Sequence, residues 1–433
     1  MSALQNELIR RASDLEFLDT KDQDWISTIF SSHTGIINGI LKRNELDAYG
    51  LEMYQALSAQ TKILFDTDRD VSSGGLGVDF SASNALYSCI GESIERYCMS
   101  YVPTDDLLLA HYDDVPLEHR LDCLSFYTDQ QYETHADRFS NPSNHPIYWC
   151  KVYSNRSSHF IYYPASLVYL PFGLQKPVAE TSSTGVSAHT TIEQAVLSGT
   201  LEVIERDALM VNFFQKLPRR SVDLASILEN ISTTHADFIK NIQSNFQIKV
   251  FHLHSDLNVP IYLSYIWTDA DEAPLHYGIG ACAHLNSEDA IIKSLKECLF
   301  TYFYSKKLLH LKKTDKNAIS SLYEHFLYYQ DDKFYKLCDN AVVSSYSSHS
   351  LQERQLFESL EKAGLFTYYI DLTTKDIQSF TPLKVVKVVI PSMIDLNKTH
   401  GLLRRAAKRF ETVPKTLNFN IHEPDDTEPH PFP

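Results

Sequence analysis

The 433-residue chain has no cysteine framework. Its seven cysteines, at 89, 98, 123, 150, 282, 298 and 338, are odd in number and form no C-x-x-C pair. That excludes a disulfide scaffold and a cysteine zinc site, and leaves buried, inert thiols. Long apolar runs are missing too. No stretch reaches the roughly 18 residues that a membrane-spanning helix needs. The opening MSALQNELIRRASDLEF lacks the apolar core and cleavage site of a secretory signal, so the expected location is the cytoplasm. Positive charge is in deficit, with 39 Lys and Arg against 55 Asp and Glu and a net charge of −16. Such a chain repels a phosphate backbone, and no nucleic acid is expected as a partner. The richest basic run, GLLRRAAKRF at 401–410, reads as a solvated helix face. Neither a P-loop nor a kinase-type catalytic loop is present.

What is there looks like an ordinary folded protein, with 43% hydrophobic and 22% charged residues. The length suits two or three ordinary domains, or one large mixed one. The strongest signal is an internal repeat. GLGVDFSASNALYSCIGESIERY (75–97), GVSAHTTIEQAVLSGTLEVIERDA (185–208) and GACAHLNSEDAIIKSLKECLF (280–300) share one spacing. Gly75, Gly185 and Gly280 each precede a glutamate by 17 positions: Glu92, Glu202 and Glu297. An alanine stands 10 positions after each glycine: Ala85, Ala195 and Ala290. The first two copies add a second acid and an arginine, Glu95-Arg96 and Glu205-Arg206, where the third has Phe300 and Thr301. Each copy predicts a strand or turn, a polar loop and a helix. The candidate caps are Ser81 or Ser83, Thr190 or Thr191, and Asn286 or Ser287.

Acids at i and i+3 share a helix face, with Cβ atoms about 5–6 Å apart. A lone E-x-x-E-R is what a solvated face carries. The second helix argues otherwise, because residues 195–214 are apolar on nearly every side except Glu202, Glu205, Arg206 and Asp207. Buried carboxylates need partners or must take up protons. Four of them from two related helices call for cations. Magnesium suits hard oxygen ligands and brings phosphates with it, and Arg96 and Arg206 then serve as phosphate clamps.

These blocks resemble the YcaO superfamily. The match comprises Ser88, Glu92, Glu95 and Arg96, then Ser183-Thr184-Gly185, Ala188-His189, Thr191, Ala195 and residues 201–208, and finally VVKVVIPSM at 385–393. Many relatives have a lysine at Leu76 and a second acid at Gln194. The resemblance implies an α+β YcaO fold, with pseudo-repeated α/β subdomains around a central nucleotide site. It divides the chain into an N-terminal accessory segment (1–70), a catalytic domain (71–412) and a Pro-rich tail entering the active site (413–433). The chain ends IHEPDDTEPHPFP, so Pro429, Pro431 and Pro433 form P-x-P-x-P. Composition alone reads as a loose acidic tail. In the azoline-forming members of the family, the thiazole/oxazole-modified microcin class, this ending is characteristic, and a stiff polyproline segment loses little entropy when it threads into a cavity.

By resemblance, the activity is ATP-dependent cyclodehydration of Cys, Ser or Thr in a ribosomal precursor peptide to thiazoline or oxazoline. Glu92, Glu95, Glu202 and Glu205 would hold Mg2+. Ser88, Arg96, Ser183, Thr184, Thr190 and Arg206 would contact ATP, and the Pro433 carboxylate would handle protons. The implied partners are the precursor peptide and a separate leader-binding E1-like or recognition-element protein, since residues 1–70 are too few for a fused one. A flavin-dependent azoline dehydrogenase and a second copy of the chain, as a homodimer within a larger complex, complete the set. Thioamide or amidine formation, or a non-catalytic scaffold, are the competing readings. His252 and His254 read as satisfied or solvent-facing histidines rather than metal ligands. The aromatic run at 159–173 reads as core and edge-strand packing before it reads as a peptide groove.

Overall fold

A computed structural model describes residues 7–62, 74–121, 126–268, 276–339 and 341–433. Cys123 and the expected boundary at 70/71 lie outside the described residues. The chain divides into two compact units: residues 1–200 with 367–391, and residues 201–366 with 392–433. No described helix is long and apolar enough to cross a membrane.

The first unit contains two antiparallel sheets. One has the order β1 (Glu7–Ile9), β2 (Ile37–Arg43), β3 (Glu52–Ser58), β4 (Leu76–Asp79). The other runs β5 (Leu108–Ala110), β6 (Ile147–Ser154), β14 (Tyr368–Asp371), β15 (Lys384–Val389), β8 (Val186–His189), with β7 (Phe160–Pro164) also paired to β6. Helix α1 (Thr20–Ile29) is capped by Asp19, which accepts from the Asp22 N–H at 2.8 Å. Helix α2 (Ala82–Ser100) packs on β3, β4 and β8, and the short α3 (Asp129–Thr134) opens on a Thr128/Gln131 capping box. Helix α4 (Ile192–Phe214) begins in this unit. The aromatic run packs as core: Ile161, Tyr163, Leu167, Val168 and Tyr169 are buried.

The second unit is built on a sheet of order β12 (Tyr277–Ala283), β11 (Ile261–Trp267), β10 (Gln247–His252), β9 (Arg220–Val222), β13 (Val342–Ser344). Among its described strand pairs, β9–β13 is parallel and the others are antiparallel. Helices α5 (Leu224–Asn230), α6 (Thr233–Gln243) and α7 (Ser287–Leu308) accompany it, and α7 lies on β11 and β12. Its buried face, including Ile291, Leu295, Leu299 and Tyr302, contributes roughly 1.5–3 kcal/mol per large side chain.

The sequence repeat is a structural device. β4, β8 and β12 are each an edge strand of their sheet, and each leads into a long helix. The repeat glycines let helix and strand touch backbone to backbone. A Cβ on Gly75 would come within 2.0 Å of the Cys89 carbonyl, and one on Gly280 within 2.2 Å of the Ser294 carbonyl, 14 positions on in both copies. In the second copy the close approach falls at the same interval but from the helix side, where a Cβ on Gly199 would meet the Gly185 carbonyl at 2.7 Å. Ala85, Ala195 and Ala290 are fully buried at the crossing. The helices start at Ser81, Thr191 and Asn286, one of each predicted pair of caps.

Candidate functional site

Edge strands leave N–H groups that no neighbouring strand accepts, and the repeat acids take them. Glu92 on α2 accepts from the Leu76 N–H at 2.6 Å, and Glu297 on α7 accepts from the Ala281 N–H at 2.8 Å. Both donors sit one residue after the repeat glycine. The second acids reach the strand of the following copy, three residues after its glycine. Glu95 accepts from Ala188 at 2.6 Å and Glu205 from Ala283 at 3.1 Å. The third copy has Phe300 where a second acid would stand; among the described residues no fourth copy of the repeat offers a strand to receive one, and Phe300 stacks on Tyr304 at 5.2 Å. In the second copy the Val186 N–H goes to the Ser183 carbonyl at 2.8 Å.

In the first unit, Ser88, Glu92, Glu95 and Arg96 share one face of α2. Ser88 is exposed; Glu92 and Arg96 form a half-buried i,i+4 ion pair. Thr190 is exposed, and its hydroxyl donates to Gln194 Oε1 at 3.3 Å, as does that of Thr191. Gln194 thus serves the start of the helix. Residues 182–185 form a tight turn with Ser183 exposed, Thr184 buried and Gly185 at φ +81°. Below it lies a residue outside the expected site set. Lys387 of β15, 4% exposed, donates from Nζ to the carbonyls of Ser182 at 3.1 Å and Thr184 at 2.6 Å. A lysine inside VVKVVI was its only signal.

In the second unit, Glu202, Glu205 and Arg206 of α4 are joined by Glu297 of α7. Arg206 lies 3.6 Å from Glu205 and 4.0 Å from Glu202, and its buried Nε has no hydrogen-bond partner among the described residues. Glu205 and Glu297 are anchored to alternate N–H groups of β12, so their attachment points are about 7 Å apart. Burial, with Glu297 and Glu202 adding to it and Arg206 opposing it, pushes the Glu205 carboxyl up to about 8. Burial also raises Glu297, against the pull of Arg206. Glu297 stands at the 17-residue interval of the repeat but is not among the expected magnesium ligands, because the third copy carries a single acid. Ser198 was passed over as well. It precedes Glu202 by four positions, as Ser88 precedes Glu92, and it too is exposed.

The last acid of α4 belongs elsewhere. Asp207 accepts from Arg409 Nη2 at 2.6 Å and from the Ile394 N–H at 3.0 Å, and Arg409 also donates to Asp256 at 2.6 Å. The run at 401–410 is therefore not simply a solvated face. Arg409 is 4% exposed, and Arg404 approaches Asp395 at 3.9 Å. The histidines follow the ordinary reading. His252 stacks on Tyr262 at 4.9 Å, and His254 Nε2 meets the Pro218 carbonyl at 2.7 Å. The six described cysteines are free and buried.

Pro433 ends a segment that is packed rather than loose. Pro429, His430, Pro431 and Phe432 are buried. Tyr329 donates its hydroxyl to the Pro429 carbonyl at 2.6 Å, and His430 stacks on His325 at 4.0 Å and bonds the Asn397 carbonyl at 2.9 Å. Phe432 meets Phe213 of α4 edge to face at 6.0 Å. The Arg206 charge is felt at His430, where burial is the main cause that lowers the imidazole to about 4.

Crowded carboxylates with raised proton affinity, beside a buried guanidinium whose Nε makes no hydrogen bond, form a donor set suited to a hard divalent cation carrying an anion. As they lie, the acids are drawn to backbone N–H groups. Among the described residues no three His, Cys, Asp or Glu side chains are gathered to chelate an ion.

Residues 76–394 match the family model described as YcaO cyclodehydratase, ATP- and Mg2+-binding. Solved structures with a similar fold include three of different kinds. One is a heterocyclase in complex with substrate and cofactor (TM-score 0.70, 21% identity, 93% of this chain, 56% of that one). Another is the E. coli microcin synthetase McbBCD complex (0.66, 14%, 93% and 98%). The third is YcaO from Methanopyrus kandleri bound with AMPPCP and Mg2+ (0.57, 14%, 84% and 88%). At these identities the likeness is one of fold. The matched segments span 64% and 38% of the two curated relatives' lengths.

Proposed function

The chain belongs to the YcaO family, and from that premise we propose that it is an ATP-dependent peptide cyclodehydratase that forms azolines. The observation that carries the proposal is the set of carboxylates that the repeat delivers to strand edges, with the charges of Glu205, Glu202 and Glu297 bearing on the buried Arg206, whose Nε lies 3.6 Å from Glu205.

Glu92, Glu95, Glu202 and Glu205, joined by Glu297, would hold magnesium, whose charge offsets that of the triphosphate. Arg96 and Arg206 would clamp phosphate oxygens, which guanidinium matches in charge and shape. The hydroxyls of Ser88, Ser183, Thr184 and Thr190 would donate hydrogen bonds to ATP. The buried Lys387 fixes the turn that presents two of them. The peptide's thiol or hydroxyl adds to the preceding amide carbon, and the resulting oxyanion takes the γ-phosphoryl group, releasing ADP. Expulsion of phosphate with loss of the amide proton leaves the C=N of the azoline. Amide oxygen leaves poorly and phosphate well, so the protein's task is positioning and charge neutralisation. The Pro433 carboxylate would accept a proton in this sequence, and the packed tail supports a fixed position for it.

The precursor peptide would be delivered by a separate leader-binding partner, with a flavin-dependent dehydrogenase acting on the product. Phosphate release with precursor and partner present tests the reading. Turnover is expected in the wild type and abolished in Glu202→Ala. A Glu202→Ala protein that turned over normally, or a wild type without peptide-dependent ATP consumption, would refute it. Extending the chain beyond Pro433 should cripple cyclisation while sparing nucleotide binding.

A further inference from the structure

The register of the second sheet sets one residue from each strand in a single row. Val342 of β13 is aligned with Arg220 of β9, and Arg220 stands opposite His252 of β10, next in register after the Ser221–Phe251 pair. His252 faces Tyr262 of β11, and Tyr262 faces Cys282 of β12. Neighbours in such a row have Cβ atoms about 4.5–5.5 Å apart. By strand alternation the row shares a face with Ser264, whose hydroxyl meets that of Ser294 on α7 at 2.6 Å.

Arg220 is the anomaly in this row. It is half-buried, its buried Nε has no hydrogen-bond partner, and no carboxylate pairs with it among the described residues. Want of acids is not the cause, since the chain has 55 Asp and Glu against 39 Lys and Arg. Other half-buried arginines of the chain do find them: Arg43 pairs with Glu45, and Arg404 approaches Asp395 at 3.9 Å.

The groups around Arg220 are imidazoles. His252 stacks on Tyr262 with the rings 20° apart. Burial first, and then the Arg220 charge, lower it to about 4 and keep it neutral. The same charge lowers His254, again behind burial. The charge of His349 is also felt at His252, and its ring is held by a contact of Nε2 with the Asn258 carbonyl at 3.3 Å. None of these supplies negative charge. A partly desolvated guanidinium is left without a counterion, at a free-energy cost that a bound anion would remove.

The donors select the shape of that anion. Nε and one terminal nitrogen of a guanidinium present two parallel N–H groups, and a neutral imidazole has one N–H more. From the adjacent strand, His252 offers that N–H along a different direction. A carboxylate would fill the fork with its two oxygens, whereas a tetrahedral anion has a further oxygen for the imidazole. On the other side of Arg220, Val342 is 67% exposed and offers an apolar contact to whatever the anion is attached to.

We propose that Arg220 and His252 bind a tetrahedral oxyanion, a free phosphate or a phosphate monoester, on this face of the second sheet. The site lies three strands, about 14 Å, from β12, where Glu205 and Glu297 are anchored, and does not depend on the cyclodehydratase reading.

The His252 imidazole reports on the site locally. In the full chain labelled with 13C-histidine, in phosphate-free buffer with chelator, its NMR signal is the one that His252→Gln removes. Inorganic phosphate should move that signal saturably, and acetate should need at least about tenfold higher concentration. Arg220→Gln should weaken phosphate at least about tenfold. In phosphate-free buffer the same variant should unfold on heating no earlier than the wild type, because it removes an unpaired cation. Phenyl phosphate separates the two sources: tighter binding than inorganic phosphate marks a monoester, equal or weaker binding marks the free ion, and both support the site. An unmoved His252 signal, an equal response in Arg220→Gln, or acetate as effective as phosphate would each overturn the proposal. So would an Arg220→Gln protein that unfolds well below wild type without phosphate, since the guanidinium would then have a partner within the fold.

Discussion

Replacing Glu205 by glutamine asks whether its carboxylate is kept in the interior for its charge. The Oε2 atom accepts from the Ala283 N–H at 3.1 Å, and an amide oxygen can accept the same bond, so shape and hydrogen bond survive. The charge does not. Burial first, then Glu297 and Glu202, lift the carboxyl from 4.5 to about 8, with Arg206 and the Ala283 N–H pulling the other way. The unfolded chain releases this proton near 4.5, while the folded chain keeps it until about 8. The contribution is therefore favourable at low pH and lost as pH rises through that window. At about 1.4 kcal/mol per pH unit, the loss between pH 5 and 8 is on the order of 3–4 kcal/mol. The check is urea unfolding in the presence of chelator at several pH values across that range. Wild type should weaken steadily relative to Glu205→Gln and fall below it near pH 8. Magnesium should restore the wild type there and leave the variant unchanged, and the variant should lose turnover. Parallel pH profiles, or a variant less stable than wild type at pH 8, would show that the acid is there only to hold a strand edge.

Lys387→Met removes both hydrogen bonds beneath the turn at 182–185; it should cost roughly 1.5–3 kcal/mol per bond to the charged group and weaken ATP binding measured by calorimetry. Asp207→Ala leaves Arg409 with Asp256 alone and should destabilise by about 3–5 kcal/mol, read by thermal unfolding, while the molecules that remain folded bind ATP normally. Burial lowers His430 to about 4 from 6.5. Its share of stability is thus complete above 6.5 and lost as pH falls toward 4. Hydrogen-exchange protection across residues 425–433, taken relative to the intrinsic exchange rate at each pH, should fall at about pH 5.5 relative to 7.5, and unchanged protection would contradict the buried stack on His325.

Much of this was legible because it is local. A glycine, an alanine ten residues on and a glutamate seventeen on are consequences of one helix crossing one strand, and the 3.6-residue period fixes which side chains share a face. Caps at Ser81, Thr191 and Asn286 follow from short-range bonding for the same reason. Asp207 looks like one more acid beside Glu205 until Arg409, 202 residues later, arrives to pair with it. Lys387 is only a misplaced cation until β15 comes to lie under residues 182–185.

The repeat, the family and the helix faces that carry the acids were readable from the residues alone, since each is a pattern set over short intervals of chain. Long-range packing selected which edge-strand N–H each acid takes. The Glu95–Ala188 and Glu205–Ala283 bonds join residues 93 and 78 positions apart. It also decided that Glu297 stands with Glu205 at Arg206, and that the acidic tail is packed. These depend on distant segments meeting, and the energy of a buried charge is set by whatever surrounds it after folding, which no local pattern encodes.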